Sequence, residues 1–319
     1  MAAKLYVVIS LDVEEEGLFS GKYPSSGLTL ANVARLEALA PLTRDLGFPL
    51  TLFCAWSVFA DPKAAATVRK LAQTGAEIGA HLHHWSTPPA REHEPQPPER
   101  SHLMDRALLK ARLAALLSQG QACMGKPLTS FRMGRWDLKA ALLPLLRQAG
   151  IRVDSSICPL RIHADGPDHF LAPPDPYWVQ TPQGAILEAP ITQLPLSVSL
   201  AQAWASLWQR KPAIMDKFHF FGALSANPVW HALPVMRMAT KLHVRRGGRL
   251  LNFFWHSSEL MPGASPNIPD QAAANALLAK IMTFCAWLRD TFEVEPLTAS
   301  QLAQLPGWPE IASAPGRDW

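Results

Sequence analysis

The chain has 319 residues, 48% hydrophobic and 18% charged, which is the composition of an ordinary globular protein rather than a disordered one. Its net charge of +4 is small and no dense Lys/Arg block occurs, so nucleic acid is not an expected partner. No stretch approaches the roughly 20 apolar residues of a transmembrane segment, and the N-terminus lacks a basic region and a small-residue cleavage site. The sequence therefore predicts a cytoplasmic protein.

Strand and helix signals alternate along the chain. After the opening apolar stretch, buried strands are predicted at 49–55, 77–83, 129–134, 151–154, 185–189 and 250–255, and helices at 31–46, 62–71, 104–124, 137–148 and 271–291. The proline-rich segments 86–101 and 159–182 predict irregular loops, and 204–244 predicts two helices. This alternation is typical of parallel βα units, so we expect one α/β barrel-like domain over residues 1–306 and a tail over 307–319.

The first predicted strand ends in a group of carboxylates. Residues 5–17 read LYVVISLDVEEEG, a buried strand whose alternation places Asp12 and Glu14 on one face. Two acids at the end of a buried strand are costly unless a cation or a hydrogen-bond network meets them. Glu15 and Glu16 are equally consistent with the start of a solvated loop.

A histidine cluster follows the third predicted strand. In GAHLHHW, residues 79–85, the same alternation places His81 and His83 on one face. The carboxyl ends of parallel strands are where α/β folds keep their active sites, so this pair is expected beside the acids of the first strand. Imidazole nitrogens with one carboxylate make a divalent metal site that leaves a position for water. The alternative is that these histidines only bond backbone carbonyls.

Later strand ends carry further polar residues. FRMGRW supplies Arg132 and Arg135, which can either fix a neighbouring carboxylate by bidentate pairing or form surface salt bridges. Asp154 follows the fifth predicted strand. His256 follows the last one, at a position suited to an acid or base, whereas Glu259 is expected to belong to the following loop.

The chain resembles a known family through these segments taken in order. The strings LDVEEEG, EIGAHLHHW, SFRMGRW, DSSICP and FFWHSSELMPG resemble the five motifs of the polysaccharide deacetylase family, the NodB-homology or carbohydrate esterase family 4 fold. The resemblance covers about residues 4–300 and is greatest to the branch labelled WalW-like. It implies a distorted (β/α) barrel of about seven parallel strands, a divalent metal, and removal of an N-acetyl or O-acetyl group from a sugar.

The resemblance also implies roles for single residues. Asp12 matches the general base, Arg132 the arginine that holds this base, and His256 the histidine that protonates the departing amine. Glu14 is the expected metal carboxylate and His81 the first metal histidine. The implied metal is Zn²⁺, with Co²⁺, Ni²⁺ or Mn²⁺ as alternatives, and the implied partner is an acetylated carbohydrate.

Two departures from the family pattern affect the metal ligands. The usual acids are adjacent, whereas here Val13 separates them and the second acid is Glu, although both keep the same face. The usual second histidine lies four residues after the first, where this chain has Trp85. We therefore expect His83 to replace it, with His84 as the alternative if the strand ends early.

The sequence leaves alternatives open for the substrate contacts and for the function itself. Trp85, Arg135, Trp136 and Asp154 are the expected substrate contacts, although the aromatic residues can also serve core or rim packing. A first rival function is hydrolysis of a small non-sugar amide, as in the allantoinase-like branch of this fold. A second is a barrel without catalysis that binds glycans, favoured by Trp85 at the usual histidine position. The sugar and the oligomeric state are not readable from the sequence.

Overall fold

A computed structural model describes residues 4–163 and 165–311 of the chain. The strands are β1 (Lys4–Val13), β2 (Leu50–Ala55), β3 (Glu77–Leu82), β4 (Ser130–Met133), β5 (Val153–Asp154), β6 (Tyr177–Val179), β7 (Ile186–Glu188), β8 (Gln193–Pro195), β9 (Ala223–Ser225), β10 (Leu250–His256), β11 (Glu293–Leu297) and β12 (Glu310–Ile311). The α-helices are α1 (Ala40–Arg44), α2 (Trp56–Ala60), α3 (Pro62–Gln73), α4 (Arg106–Met124), α5 (Leu143–Gln148), α6 (Val198–Trp208), α7 (Pro212–Met215), α8 (Leu233–Arg245) and α9 (Gln271–Thr291). Short 3₁₀ helices cover Leu18–Ser20, Ala31–Leu39, Gly134–Trp136, Ala140–Leu142, Asp216–Phe220, Ser257–Leu260 and Ala299–Gln304.

Seven parallel strands form one curled sheet. Their order is β10, β1, β2, β3, β4, β5 and β7, and each pairs in parallel with the next. The curl brings β10 back to the segment after β7: the Thr192 N–H donates to Asn252 O at 2.7 Å, and the Asn252 N–H donates to Thr192 Oγ1 at 2.8 Å. The expected α/β fold, a distorted barrel of about seven parallel strands, is confirmed.

The central strand β1 is buried on both faces, because its apolar side chains pack into two separate cores. Leu5, Val7, Ile9 and Leu11 pack in the core between the sheet and the surrounding helices, whereas Val8 packs in a smaller core inside the barrel. The register places Asp12 beside His256 of β10. Polar groups at the end of β1 therefore face the interior at the carboxyl-terminal rim, as alternation predicts.

Two predicted helices are interrupted, and proline accounts for both interruptions. The predicted helix 31–46 is a 3₁₀ helix followed by α1, which begins around Pro41. The predicted helix 137–148 is a 3₁₀ turn followed by α5, which begins around Pro144. Proline lacks the N–H for the helical hydrogen bond and suits only a first turn, so each helix restarts there. Asp137 caps no helix here; its carboxylate accepts the Ser101 N–H at 2.7 Å.

Short strands lie where the sequence predicted loops or helices. Within the predicted loop 159–182, β6 pairs antiparallel with β7. Within the two-helix segment 204–244, β9 pairs with β8. After the last helix, where no element was predicted, β11 pairs with the first half of β1. Each has only three to five residues, too few for an alternation signal.

The fold continues past the predicted boundary at residue 306. Trp308 is buried and its Nε1–H donates to Leu302 O at 2.9 Å, and β12 pairs in parallel with β6. The remainder of the predicted tail, residues 312–319, lies outside the described residues. No helix in the described part of the chain is long and apolar enough to cross a bilayer.

Candidate active site and metal centre

Three buried ligand atoms converge at the ends of β1 and β3. His81 Nε2 lies 3.2 Å from Glu14 Oε2, and His83 Nε2 lies 3.1 Å from the same oxygen. The three side chains are nearly inaccessible to solvent and form one cluster of potential metal ligands. The sequence predicted this set, with His83 at the place of the missing second histidine.

The outer ring nitrogens of both histidines have hydrogen-bond partners. His81 Nδ1 lies 3.0 Å from Arg132 O, and because a carbonyl only accepts, the hydrogen belongs on Nδ1. His83 Nδ1 lies 2.7 Å from Glu15 Oε2, a pairing that also places its hydrogen on Nδ1. Both Nε2 lone pairs are therefore directed at Glu14. A carboxylate behind a metal-binding histidine is the usual arrangement that fixes the tautomer and the ring orientation.

This donor set fits a divalent metal. Zn–N and Zn–O bonds of about 2.0–2.1 Å in tetrahedral geometry separate ligand atoms by about 3.3 Å, close to the two observed N···O distances. Without a cation, the charges of Glu15 and Glu14 outweigh burial and raise the pKa of His83 to about 10, so that a proton on its Nε2 faces Glu14. One added proton satisfies one of these contacts, whereas one dication satisfies both.

The negative charge around the cluster also favours binding of a cation. Asp12, Glu14, Glu15 and Glu259 are all buried here. The cationic partners around these acids are the Arg132 guanidinium, a protonated His256 and, in the absence of a metal, a protonated His83. A divalent ion would neutralise the remaining charge, and uncompensated buried carboxylates are expensive.

Asp12 lies next to the ligands and is held by Arg132. Arg132 Nη1 donates to Asp12 Oδ1 at 2.7 Å, with both side chains buried. The guanidinium also donates to Ser10 Oγ at 2.8 Å and to Ser155 Oγ at 2.9 Å. These contacts use the donors of Arg132 in a fixed plane, so the Asp12 carboxylate and its free oxygen are held in one orientation.

Asn252 of β10 connects these groups across the barrel. Its Nδ2 donates to Ser155 Oγ at 3.2 Å and to Ala189 O at 3.1 Å, and its Oδ1 accepts from Ser10 Oγ at 3.2 Å. The interior thus contains a polar layer just below the ligands, in which Arg132 is braced from three strands.

His256 faces Asp12 from the other side. Its Nε2 is 3.9 Å from Asp12 Oδ2, and its Nδ1 is 3.0 Å from Glu259 Oε2. Burial alone lowers the pKa of this imidazole, but the charges of Glu14, Glu259 and Asp12 outweigh burial and raise its pKa to about 9. The ring is a cationic acid at neutral pH, and Phe19 contacts it edge to face at 5.1 Å.

Solved structures share this architecture, while the sequence matches no protein-family model and no curated protein. A protein from Mycobacterium smegmatis assigned as a polysaccharide deacetylase aligns with TM-score 0.57 and 18% identity over 95% of this chain and 90% of its own. One from Pseudomonas aeruginosa PAO1 with the same assignment aligns with TM-score 0.56 and 16% identity over the same shares. The Puue allantoinase aligns with TM-score 0.58 and 14% identity, again over 95% and 90%. This chain has the polysaccharide deacetylase fold.

Within this deacetylase fold, the remaining predicted residues have other partners. Trp85 is buried and stacks on His83, with ring centroids 4.4 Å apart, so it packs against the ring of His83. Trp136 is half-buried between the Arg132 guanidinium and Phe254. Arg135 donates to Pro98 O at 2.8 Å and makes none of the contacts to Asp12.

Asp154, predicted to face the substrate, lies on the other face of the sheet. It is in register with Glu188 of β7, and its Oδ1 accepts from Ser156 Oγ at 2.7 Å. Burial and the neighbouring Asp154 raise the pKa of Glu188, so this carboxyl pair retains a proton. The interior position belongs to Ser155, because alternation along β5 exchanges the two faces.

Sequence reasoning missed three residues of the site. Glu15 was left open as a loop residue, yet it is buried and accepts from Ser57 and Ser86 as well as from His83. Glu259 was assigned to the loop, yet it pairs with His256. Asn252 was read as part of an apolar strand. The sequence did contain a signal for Asn252, because a polar residue within the buried strand LLNFFW needs hydrogen-bond partners inside the barrel.

Proposed function

We propose that this protein is a metal-dependent hydrolase that removes an acetyl group from an acetylated sugar. The observation that carries the proposal is the convergence of His81 Nε2 and His83 Nε2 on Glu14, with both opposite nitrogens already hydrogen-bonded. A base held by an arginine and a cationic histidine flank this cluster. These are the three components that hydrolysis of an amide or ester requires.

The proposed roles follow from these positions. A divalent ion held by Glu14, His81 and His83 supplies Lewis acidity toward the acetyl carbonyl and toward water. Asp12 accepts the proton of the attacking water at the oxygen that does not bind Arg132. His256 then gives its Nε2 proton to the departing nitrogen or oxygen of the sugar, because its raised pKa keeps it protonated at neutral pH. Glu259 holds the ring in the orientation that directs this proton inward.

Hydrolysis of a small non-sugar amide is the second candidate. The Puue allantoinase shares the fold over 95% of this chain, so the scaffold also accommodates that class. A barrel without catalysis is less well supported, since His83 lies where a second histidine ligand is needed despite Trp85 at the usual position.

Metal analysis with three variants tests the ligand set. We expect the purified protein to bind about one equivalent of Zn²⁺ or another divalent ion, and Glu14→Ala and His83→Ala to lose it. His84→Ala is the matched control: His84 is equally buried, but its pKa is lowered to about 3 by burial and it lies outside the ligand cluster. Unchanged metal content in Glu14→Ala and His83→Ala contradicts the proposal.

Release of acetate tests the reaction itself. The metal-loaded protein is incubated with N-acetylated and O-acetylated oligosaccharides and, separately, with allantoin. We expect acetate from the sugars, and a loss of about 10² to 10⁴-fold in kcat/KM for Asp12→Asn and His256→Ala. Turnover of allantoin alone supports the second candidate, and metal binding without turnover of any amide or ester supports a binding function.

A further inference from the structure

Helix α6 and the segments next to it carry an apolar surface. Its residues are far in the sequence from Glu14, His81 and His83. Six of the eleven exposed large apolar side chains in the described part of the molecule come from residues 196–221. They are Leu196, Val198, Leu200, Leu207, Phe220 and Phe221, with Phe220 at 79% and Leu207 at 71% of full exposure. We call this set the α6 surface. Single exposed apolar residues are normal, whereas a concentration of this kind marks an interaction site.

Contacts within the segment hold these side chains on one structural unit. The Trp204 ring of α6 packs edge to face on Phe221 at 5.3 Å, and its Nε1–H donates to Met215 O at 3.1 Å. The Leu196 N–H donates to Gly222 O at 2.8 Å, which joins β8 to the end of the following turn. On α6, Leu200 and Leu207 are two helical turns apart and lie on the same side, whereas Val198 lies on the side of the buried Ala201 and Ala205.

The charged side chains on and around this surface are basic with one exception. Residues 191–250 contain eight Lys and Arg but only one acid, whereas the rest of the chain holds 22 basic and 25 acidic residues. Arg210, Lys211 and Lys217 are exposed at the end of α6 and in the turn after it. The single acid, Asp216, pairs with Arg161 at 3.0 Å. Exposed aromatic and aliphatic side chains bordered by unopposed cations are complementary to an anionic lipid headgroup layer.

We propose that the α6 surface docks the protein onto an anionic phospholipid bilayer, with α6 lying in the interface. The helix has eleven residues, enough to lie in the headgroup region but too few to cross the hydrocarbon core. Leu200, Leu207 and Phe220 enter the acyl boundary, and Lys211 and Lys217 contact phosphate.

The same surface connects to the active site. Phe220 and Trp230 line one cavity of about 370 Å³, and the Trp230 ring contacts Phe254 at 5.4 Å. Phe254 in turn contacts His256 at 5.6 Å. Docking therefore brings the His256 side of the active site toward the bilayer, although membrane binding itself does not depend on the proposed function.

A second copy of the chain is the competing occupant, and charge disfavours it. In a two-fold symmetric contact each patch meets itself, so Arg210, Lys211 and Lys217 of one copy would lie near the same cations of the other. Like charges at a contact oppose association, whereas a bilayer containing phosphatidylglycerol offers the opposite charge over the whole patch.

Vesicle cosedimentation of the full chain tests the proposal. We expect binding to vesicles rich in phosphatidylglycerol, little binding to pure phosphatidylcholine, and weaker binding as salt is raised. The double variants Leu200→Ser/Leu207→Ser and Lys211→Gln/Lys217→Gln should each weaken partitioning about tenfold or more. Leu103→Ser and Lys110→Gln are matched controls, because both residues are exposed outside the α6 surface and should leave partitioning unchanged.

Three results would overturn the proposal. The first is absence of binding to phosphatidylglycerol vesicles at low salt. The second is equal binding by the α6 variants and the controls, with circular dichroism showing all of them folded. The third is a dimer in sedimentation velocity that Leu200→Ser/Leu207→Ser converts to a monomer without any vesicle binding, which would assign the surface to a second copy.

Discussion

Glu15 and Glu16 are neighbours in the sequence with different partners in the structure. Glu15 is buried, accepts from His83 Nδ1 at 2.7 Å, and has its pKa lowered to about 2, since the His83 charge and hydrogen bond outweigh the effect of burial. Glu16 accepts from Thr29 Oγ1 at 2.9 Å and from the Asn32 N–H at 2.8 Å, and so holds the chain after β1. One acid orients His83 and the other stabilises a loop.

This difference gives a test of the carboxylate behind His83. Glu15→Gln removes the charge that fixes the tautomer and raises the basicity of the ring, so we expect metal affinity to fall about 10 to 100-fold. Glu16→Gln, one residue away, should keep the wild-type affinity. Competition with a chromophoric chelator measures both, and equal affinities in the two variants would show that Glu15 does not support the metal.

The pH dependence of turnover tests His256 as the acid. In the proposed reaction protonated His256 is the active form. Its pKa is raised to about 9, so kcat/KM should decline as the pH rises through the pKa of this imidazole. Glu259→Gln removes one of the charges that raise this pKa, so its basic limb should lie at lower pH with the same metal bound. Glu37→Gln, a surface control paired with Lys70, should leave the profile unchanged. Identical basic limbs in Glu259→Gln and the wild type would exclude this role for the pair.

At the scale of elements, long patterned segments were predictable and short ones were not. The ten residues of β1, the seven of β10 and the 21 of α9 carry long, largely apolar or helical patterns, and the structure confirms these elements. The two-residue β5 and the three-residue β6 depend on pairing with neighbours, which a single sequence does not contain.

The length of each strand also explains which site residues could be predicted. Alternation along β1 and β3 predicted that Glu14, His81 and His83 share one region, and the structure brings these three side chains together just beyond the two strand ends. At the end of the two-residue β5 the sequence offered no alternation to separate Asp154, which bonds Ser156, from Ser155, which bonds Arg132. Arg135 adopts a positive φ of 59° in the turn after β4, which no periodicity anticipates, and it points its side chain elsewhere.

The loop between β5 and β6 gives a prediction about stability. His169 is buried, its Nδ1 accepts the Cys158 N–H at 3.2 Å, and burial lowers its pKa to about 3. Between pH 6.5 and about 3 the unfolded chain binds a proton that the folded chain does not, so the stability of the folded state falls as the pH falls.

Inside that window, His169 is expected to lower the free energy of unfolding by up to about 1.4 kcal/mol for each unit that the pH falls. His169→Asn keeps an acceptor for the Cys158 N–H but cannot be protonated, so its stability should decline less steeply with acid even if it is lower at pH 7. Urea unfolding at several pH values measures the slope. His93→Asn, at an exposed histidine, is the control, and equal slopes in all three proteins would contradict the assignment.

At the scale of the whole molecule, the barrel is closed by the same residue that braces the site. Asn252 joins β10 to the segment after β7 through Thr192 and Ala189, and it also contacts Ser10 and Ser155, the two hydroxyls that hold Arg132. Closure of the sheet and orientation of the base are therefore one hydrogen-bond network. A network of this kind is stable only when every member has its partners.

Asn252→Ala should therefore affect stability and catalysis together. The substitution leaves buried hydroxyl and carbonyl groups without partners, at about 1–3 kcal/mol for each group that remains unsatisfied, and it frees the Arg132 guanidinium to shift. We expect lower stability in urea and a lower kcat, with metal affinity close to wild type because Glu14, His81 and His83 make no contact with Asn252. Asn275→Ala, on the exposed face of α9, should change neither quantity. Reduced stability with an unaltered kcat would show that barrel closure and the orientation of Asp12 are independent.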